Sequence, residues 1–244
     1  GPDARAPDVQ WRLHRAGLDG RDGVGVPAVT AVLDEPALWL QEAVPGRSLA
    51  ALLEGDANVG SDAMIDAVGR TGRALAALHA TAPATDRRWT LADELAVLGR
   101  AVAEGPHGDL HALAEHRLRA LPPAPEAGLH RDFYFDQALV TPDAIWLVDL
   151  DLHARGDPAV DLGNFLAHLT ELDLRRGRDP AHSAQLGESF LEGYAARRPL
   201  PPAARIDALH WVSLARHAAI AARFPERRHA IPAIAALCRE RLSA

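Results

Sequence analysis

Apolar positions along this chain change their period twice. Residues 8–16 (DVQWRLHRA) carry helical spacing and lead into a glycine-rich turn from Gly17 to Gly25. Two runs with strand character follow, Val26 to Leu33 and Leu38 to Val44, around the turn Asp34-Glu35-Pro36. Pro45-Gly46 ends that pattern, and helical spacing takes over. Ser61 opens a helix that sets Ile65, Val68, Leu75 and Leu78 on one face. Thr90 and Asp93 form a capping pair for a helix from Leu91 to Ala103. A further helix covers Asp109 to Arg119 and stops before Pro122-Pro123.

The second change falls between Leu129 and Asp151. Gln137 to Val140, Thr141 to Ala144 and Ile145 to Val148 read as strand, turn, strand. After Pro158 helices resume to the end, punctuated by Gly177, Pro199 to Pro202, Pro225 and Pro232. The chain shows neither an internal repeat nor a low-complexity linker. The expected fold class is α+β: a small β-containing N-terminal part, residues 1–45, and a helical body, residues 46–244, that holds one internal hairpin.

Composition narrows the chemistry. The chain has 244 residues; its 26 basic side chains are all arginine, against 33 acidic ones, for a net charge of −7. An acidic balance argues against a nucleic-acid partner. Without lysine, Schiff-base chemistry, PLP attachment and a Walker A loop are excluded. The lone Cys238 excludes a disulfide framework and suits a reducing compartment, so a cytoplasmic location is expected. No apolar run reaches the length of a membrane span, and no secretory signal opens the chain, so no membrane partner is expected. Gly1-Pro2 has the look of a protease-cleavage scar.

The hairpin concentrates the candidate chemistry. A turn centred between Pro142 and Asp143 sets Gln137 opposite Val148, and Asp136 opposite Asp149, give or take a residue. Gln137 and Asp149 then meet at the open end, with Asp132 in the loop leading in. Two oxygens suited to a hard cation beside a candidate base form a site for Mg²⁺.

The segment LHRDFYFDQALV, then IWLVDLDLHARGDPAVDLGNFLAHL, resembles the aminoglycoside phosphotransferase and choline kinase family of the protein-kinase-like fold. That family spells H-x-D-x-x-x-x-N, a strand ending in Asp, then G-D-P-x-x-D-L. The resemblance implies that Asp132 orients the acceptor hydroxyl and that Asp149 holds Mg²⁺ on the phosphates of ATP or GTP. Gln137 stands where the family has its second metal ligand, Asn. Asp161 falls on the family's structural Asp, with Asp157 and His130 as loop anchors. Leu38 to Gly46 resembles the last strand and the hinge, which implies nucleotide contacts at Glu42 and Val44. A helix carrying Trp211, Arg216, His217 and Phe224 would border the acceptor pocket.

His107-Gly-Asp-Leu-His111 is a decoy for the catalytic loop. Five residues after Asp109 stands Ala114, with no amide, and no strand follows, so it reads as a turn and helix start. His107, His111 and His116 read as a solvated face. The resemblance also implies three more strands, a phosphate loop and a lysine–glutamate pair. Nothing before residue 24 supplies them, and the expectation is a truncated N-terminal lobe whose front lies outside this chain. The expected function is small-molecule O-phosphotransfer to an antibiotic-like or sugar-like hydroxyl acceptor. The rivals are a catalytically inactive kinase-like binding module and, third, a metal-dependent hydrolase.

Overall fold

The computed structural model describes residues 6–36, 38–55, 61–103 and 105–244. In chain order the elements begin with α1 (Ala6–Arg15), β1 (Val24–Gly25), β2 (Val29–Leu33), β3 (Leu38–Gln41) and β4 (Arg47–Ser48). Then come α2 (Leu49–Leu53), α3 (Asp62–Ala80), β5 (Arg88–Trp89), α4 (Leu91–Val102) and α5 (Asp109–Arg119). The strand β6 (Ala127–Leu129), a 3-10 turn (Phe135–Gln137), β7 (Ala138–Val140), β8 (Ile145–Leu147) and β9 (Ala154–Gly156) follow. The chain closes with α6 (Ala159–Arg176), α7 (Pro180–Ala195), α8 (Ala203–Ala222), a 3-10 turn (Pro225–Ala230) and α9 (Ile231–Ser243). It folds as two compact units.

The first unit takes the residues up to Arg88, Ala127–Arg155 and Glu188–Leu200. Its main sheet has the order β1-β8-β7-β4. β7 and β8 are the expected hairpin, with Ala138 opposite Leu147 and Val140 opposite Ile145. The Thr141 side chain clamps the turn: its hydroxyl donates to Ala144 O at 2.9 Å and accepts from Ala144 N at 3.0 Å. β1 joins β8 in parallel, and β4 joins β7 antiparallel. Val68, Leu75 and Leu78 of α3 are buried as expected, with Leu129, Phe133, Phe190 and Tyr194 in the same unit's core. The Ser61 cap accepts from Met64 N.

The expected strand from Val26 starts late, at Val29. Pro27 has no N–H to donate to a ladder, and its carbonyl accepts from the Gln10 side chain at 2.7 Å. The Val26 carbonyl bonds His14 Nδ1 at 2.9 Å. Two α1 side chains thus take what a neighbouring strand would have used.

α7 passes α3 at backbone contact. A Cβ added at Gly193 would lie 1.9 Å from Gly69 O, a clash with main chain that no rotamer can relieve. Gly193→Ala is therefore expected to destabilise the first unit by about 3 kcal/mol, the upper end for overpacked cores, read as a lowered urea midpoint.

The second unit takes Trp89–Glu126, Gly156–Gly187 and Pro201–Ala244. The capping box at Thr90 and Asp93 forms as expected, and α4 runs one residue shorter than read. A buried polar network holds α4, α6 and α8. Arg216 donates to Asn164 Oδ1 at 2.9 Å and pairs with Glu94 at 3.4 Å, while Trp89 Nε1 donates to Glu94 at 2.5 Å. Arg205, 3% exposed, donates to Asp157 and to the Pro122 carbonyl. The decoy is a helix start: Asp109 opens α5 and accepts from Arg239 Nε at 2.6 Å.

Burial pushes the His217 imidazole down to about 3, with Arg216 adding to it; burial also brings His210 down to about 4, against the pull of Asp207. Above pH ~6.5 both rings are neutral in either state and contribute no pH dependence. Below it the unfolded chain binds protons that the folded chain does not, so stability falls towards pH 4 and then pH 3. The slope is at most about 1.4 kcal/mol per pH unit for each histidine. Calorimetry from pH 7.5 to 4.5 should show Tm falling, and His217→Leu should flatten the slope.

Candidate active site

β6 ends in the loop His130-Arg131-Asp132, and Asp149 follows two residues after the end of β8. The two segments are tied together. His130, fully buried, bonds through Nε2 to the Val148 carbonyl at 2.8 Å and sets its ring 5.4 Å from that of Phe133. Arg131 donates from Nη1 to Leu152 O at 3.4 Å. One anchor thus lies on each side of Asp149.

Both loops bend sharply. Arg131 has φ +76° and Asp149 φ +60°, and among the described residues they are the non-glycine residues with positive φ. A left-handed backbone costs a side-chain-bearing residue about 1 kcal/mol or more and marks functional loops. The residue before Asp132 and Asp149 itself carry that cost.

The hairpin register delivers the expected neighbour. Val148 N donates to Gln137 O at 3.1 Å, closing the ladder at the open end. The Gln137 side chain, 8% exposed, reaches across with Nε2 3.4 Å from Asp149 Oδ2. Asp149 itself is exposed, and Asp132 is half-buried in its loop. A carboxylate beside a carboxamide supplies oxygen donors, the set a hard cation such as Mg²⁺ requires. A half-turn of the amide exchanges Nε2 for Oε1 without moving the backbone, and the two ends differ only in hydrogen-bond partners. The residues present therefore fit a metal.

Glu42 and Val44 follow β3. The Glu42 N–H is spent on Ala28 O at 2.8 Å, whereas Val44 N–H makes no hydrogen bond among the described residues. Three residues on, Arg47 pairs with Val140 and docks this stretch on the β7–β8 hairpin. Gly46 permits the join: its φ is +156°, and a Cβ there would lie 3.0 Å from Val140 O.

Asp157 and Asp161 belong to the second unit. Asp157 caps the Ala159 N–H at 3.0 Å and pairs with Arg205; Asp161 is fully buried in the first turn of α6. Residue-by-residue reading missed Arg205, whose only signal was a charged position in an apolar helix. It also missed the strain at Arg131, since arginine does not announce a left-handed turn. Among the described residues no group of three or more His, Cys, Asp or Glu side chains could hold a metal, and no helix is long and apolar enough to cross a membrane.

Among solved structures, the fold matches a choline/ethanolamine kinase family protein from Mesorhizobium loti. The TM-score is 0.66 at 16% identity, over 99% of this chain and 79% of that one. It matches an amicoumacin kinase, solved with AMP-PNP, Ca²⁺ and Ami, with a TM-score of 0.65 at 15% identity, over 98% and 78%. It matches a macrolide 2′-phosphotransferase from Brachybacterium faecium with a TM-score of 0.59 at 21% identity, over 96% and 80%. These likenesses establish an α+β fold of the protein-kinase-like type. No curated protein sequence matches the chain. The sequence pattern of one family spans residues 7–200, from α1 through the β7–β8 hairpin to just past α7, and by that match this chain belongs to the phosphotransferase enzyme family.

Proposed function

We propose that this phosphotransferase moves the γ-phosphoryl group of ATP or GTP to a hydroxyl of an antibiotic-like or sugar-like small molecule. The observation that carries the reading is the register-matched approach of Gln137 to Asp149, 3.4 Å apart, beside the anchored Asp132 loop. Asp132 orients the acceptor hydroxyl and takes its proton as the new P–O bond forms, while the bond from the γ-phosphorus to the bridging oxygen breaks and the nucleoside diphosphate leaves with that oxygen. Gln137 and Asp149 hold Mg²⁺, which when bound neutralises charge on the phosphate oxygens. The Glu42 carbonyl and the Val44 amide meet the base, consistent with the Val44 N–H having no partner among the described residues. Residues 1–45 act as the nucleotide-side lobe and hinge, and 46–244 as the acceptor-side lobe. The neighbours' acceptors, an amicoumacin and a macrolide among them, support a small-molecule hydroxyl rather than a protein or nucleic acid, as does the charge of −7.

One observation favours a second reading. Gln137 stands where the family has Asn, and a substituted metal-ligand position suits a kinase-like module that binds without turning over. A panel of aminoglycoside, macrolide, amino-sugar and choline acceptors, followed by phosphorus NMR with ATP and Mg²⁺, separates the two. Phosphorylated product that disappears with chelator supports transfer. Nucleotide binding without product from any acceptor supports the inactive module.

A further inference from the structure

The second unit holds a cleft whose described lining includes none of Glu42, Val44, Asp132, Gln137 and Asp149. It has a volume of about 390 Å³, within the range of small-molecule sites, and none of its lining residues belongs to the first unit. Arg100 and His107 line it together with Ala218, Ala219, Ala222 and Arg223. The alanines of α8 give a smooth apolar wall without long side chains to fill the space.

Among the described lining residues the charged side chains, Arg100 and Arg223, share one sign. No carboxylate lines the cleft among the described residues. Neither Arg100 nor Arg223 has a side-chain hydrogen bond or ion pair among the described residues, although the chain has 33 acidic side chains to 26 basic ones. Arg239 Nη2 lies 3.4 Å from His107 Nδ1, which leaves Nε2 as the ring's proton carrier. The C-terminal carbonyls of α8 would repel an anion, but three of them are already occupied. Ala222 O accepts from Arg228 Nε at 3.0 Å, and Ala221 O and Ile220 O accept from Arg223 N.

We propose that this cleft is a second ligand site for a small planar organic anion, an apolar ring bearing a carboxylate. Guanidinium forks match a planar carboxylate in two parallel hydrogen bonds, which an ammonium would not do. The ring lies on the alanine wall, and the volume admits a bicyclic body.

Isothermal titration of the full chain with 2-naphthoate tests this, with neutral 2-naphthylmethanol as the matched control. The expected result is saturable, one-to-one binding of the carboxylate, with the alcohol weaker by about tenfold or more. Arg100→Gln with Arg223→Gln should abolish the preference for the carboxylate, and Ala219→Trp, which fills the cleft, should abolish binding of both. Asp132→Asn should bind as the wild type does. Absence of saturable binding, equal affinity for the alcohol, or binding that survives both cleft variants would overturn the site. Both variants alter exposed or half-buried positions and act through different properties, charge and volume, so agreement between them is not explained by misfolding.

Discussion

Asp149→Asn should lower kcat for phosphoryl transfer by about a thousandfold or more, because one charged group placed where phosphate charge develops contributes on that scale. Asparagine is the informative replacement. It keeps the size of the side chain, and it tolerates the left-handed backbone that Asp149 occupies at φ +60°. What it removes is the negative charge beside Gln137. Asp149→Ala would add backbone strain to the lost charge and confuse the two. The Asn variant should melt within a few degrees of the wild type, measured by calorimetry, while steady-state assays show the loss. Raising Mg²⁺ should recover part of the activity, since a weakened ligand set can be driven by mass action.

Asp132→Asn should cost about 10²–10⁴-fold in kcat, the usual worth of a positioned acid–base group, with the KM for nucleotide unchanged. The loop that carries it is fixed by other residues, His130 to Val148 and Arg131 to Leu152, so the backbone should stay in place when the carboxylate goes. Added Mg²⁺ should not rescue this variant. The contrast in rescue distinguishes a group that meets the acceptor hydroxyl from one that holds the metal.

The hairpin was legible in the sequence because its register depends on local chemistry. Thr141-Pro142-Asp143-Ala144 fixes the turn, and counting outward from it pairs Gln137 with Val148, as observed. The capped helix starts at Ser61 and Thr90 were legible for the same reason. What escaped was nonlocal. The late start of β2 depends on Gln10 and His14, more than ten residues away in sequence. Strands of two residues, such as β4, are too short to show a period at all. The division into units draws each from three separate stretches of chain, which no composition shift along the sequence announces. Positive φ at Arg131 and Asp149 is imposed by the anchored loops, since neither residue is a glycine that would advertise it. For the site itself, the Gln137–Asp149 neighbourhood could be reasoned from register, whereas the roles of Asp132, Gln137 and Asp149 came from resemblance and stand as proposals.

In the proposed mechanism the open end of the hairpin holds the divalent cation on the nucleotide. Electron paramagnetic resonance of Mn²⁺ with a non-hydrolysable ATP analogue tests it most directly, because bound and free ion give distinct signals. The wild type should bind Mn²⁺ in a ternary complex. Asp149→Asn should weaken it by about tenfold or more, consistent with the loss of one charged ligand, and Asp132→Asn should leave it unchanged. Equal Mn²⁺ affinity in the wild type and the Asp149→Asn variant would contradict the account.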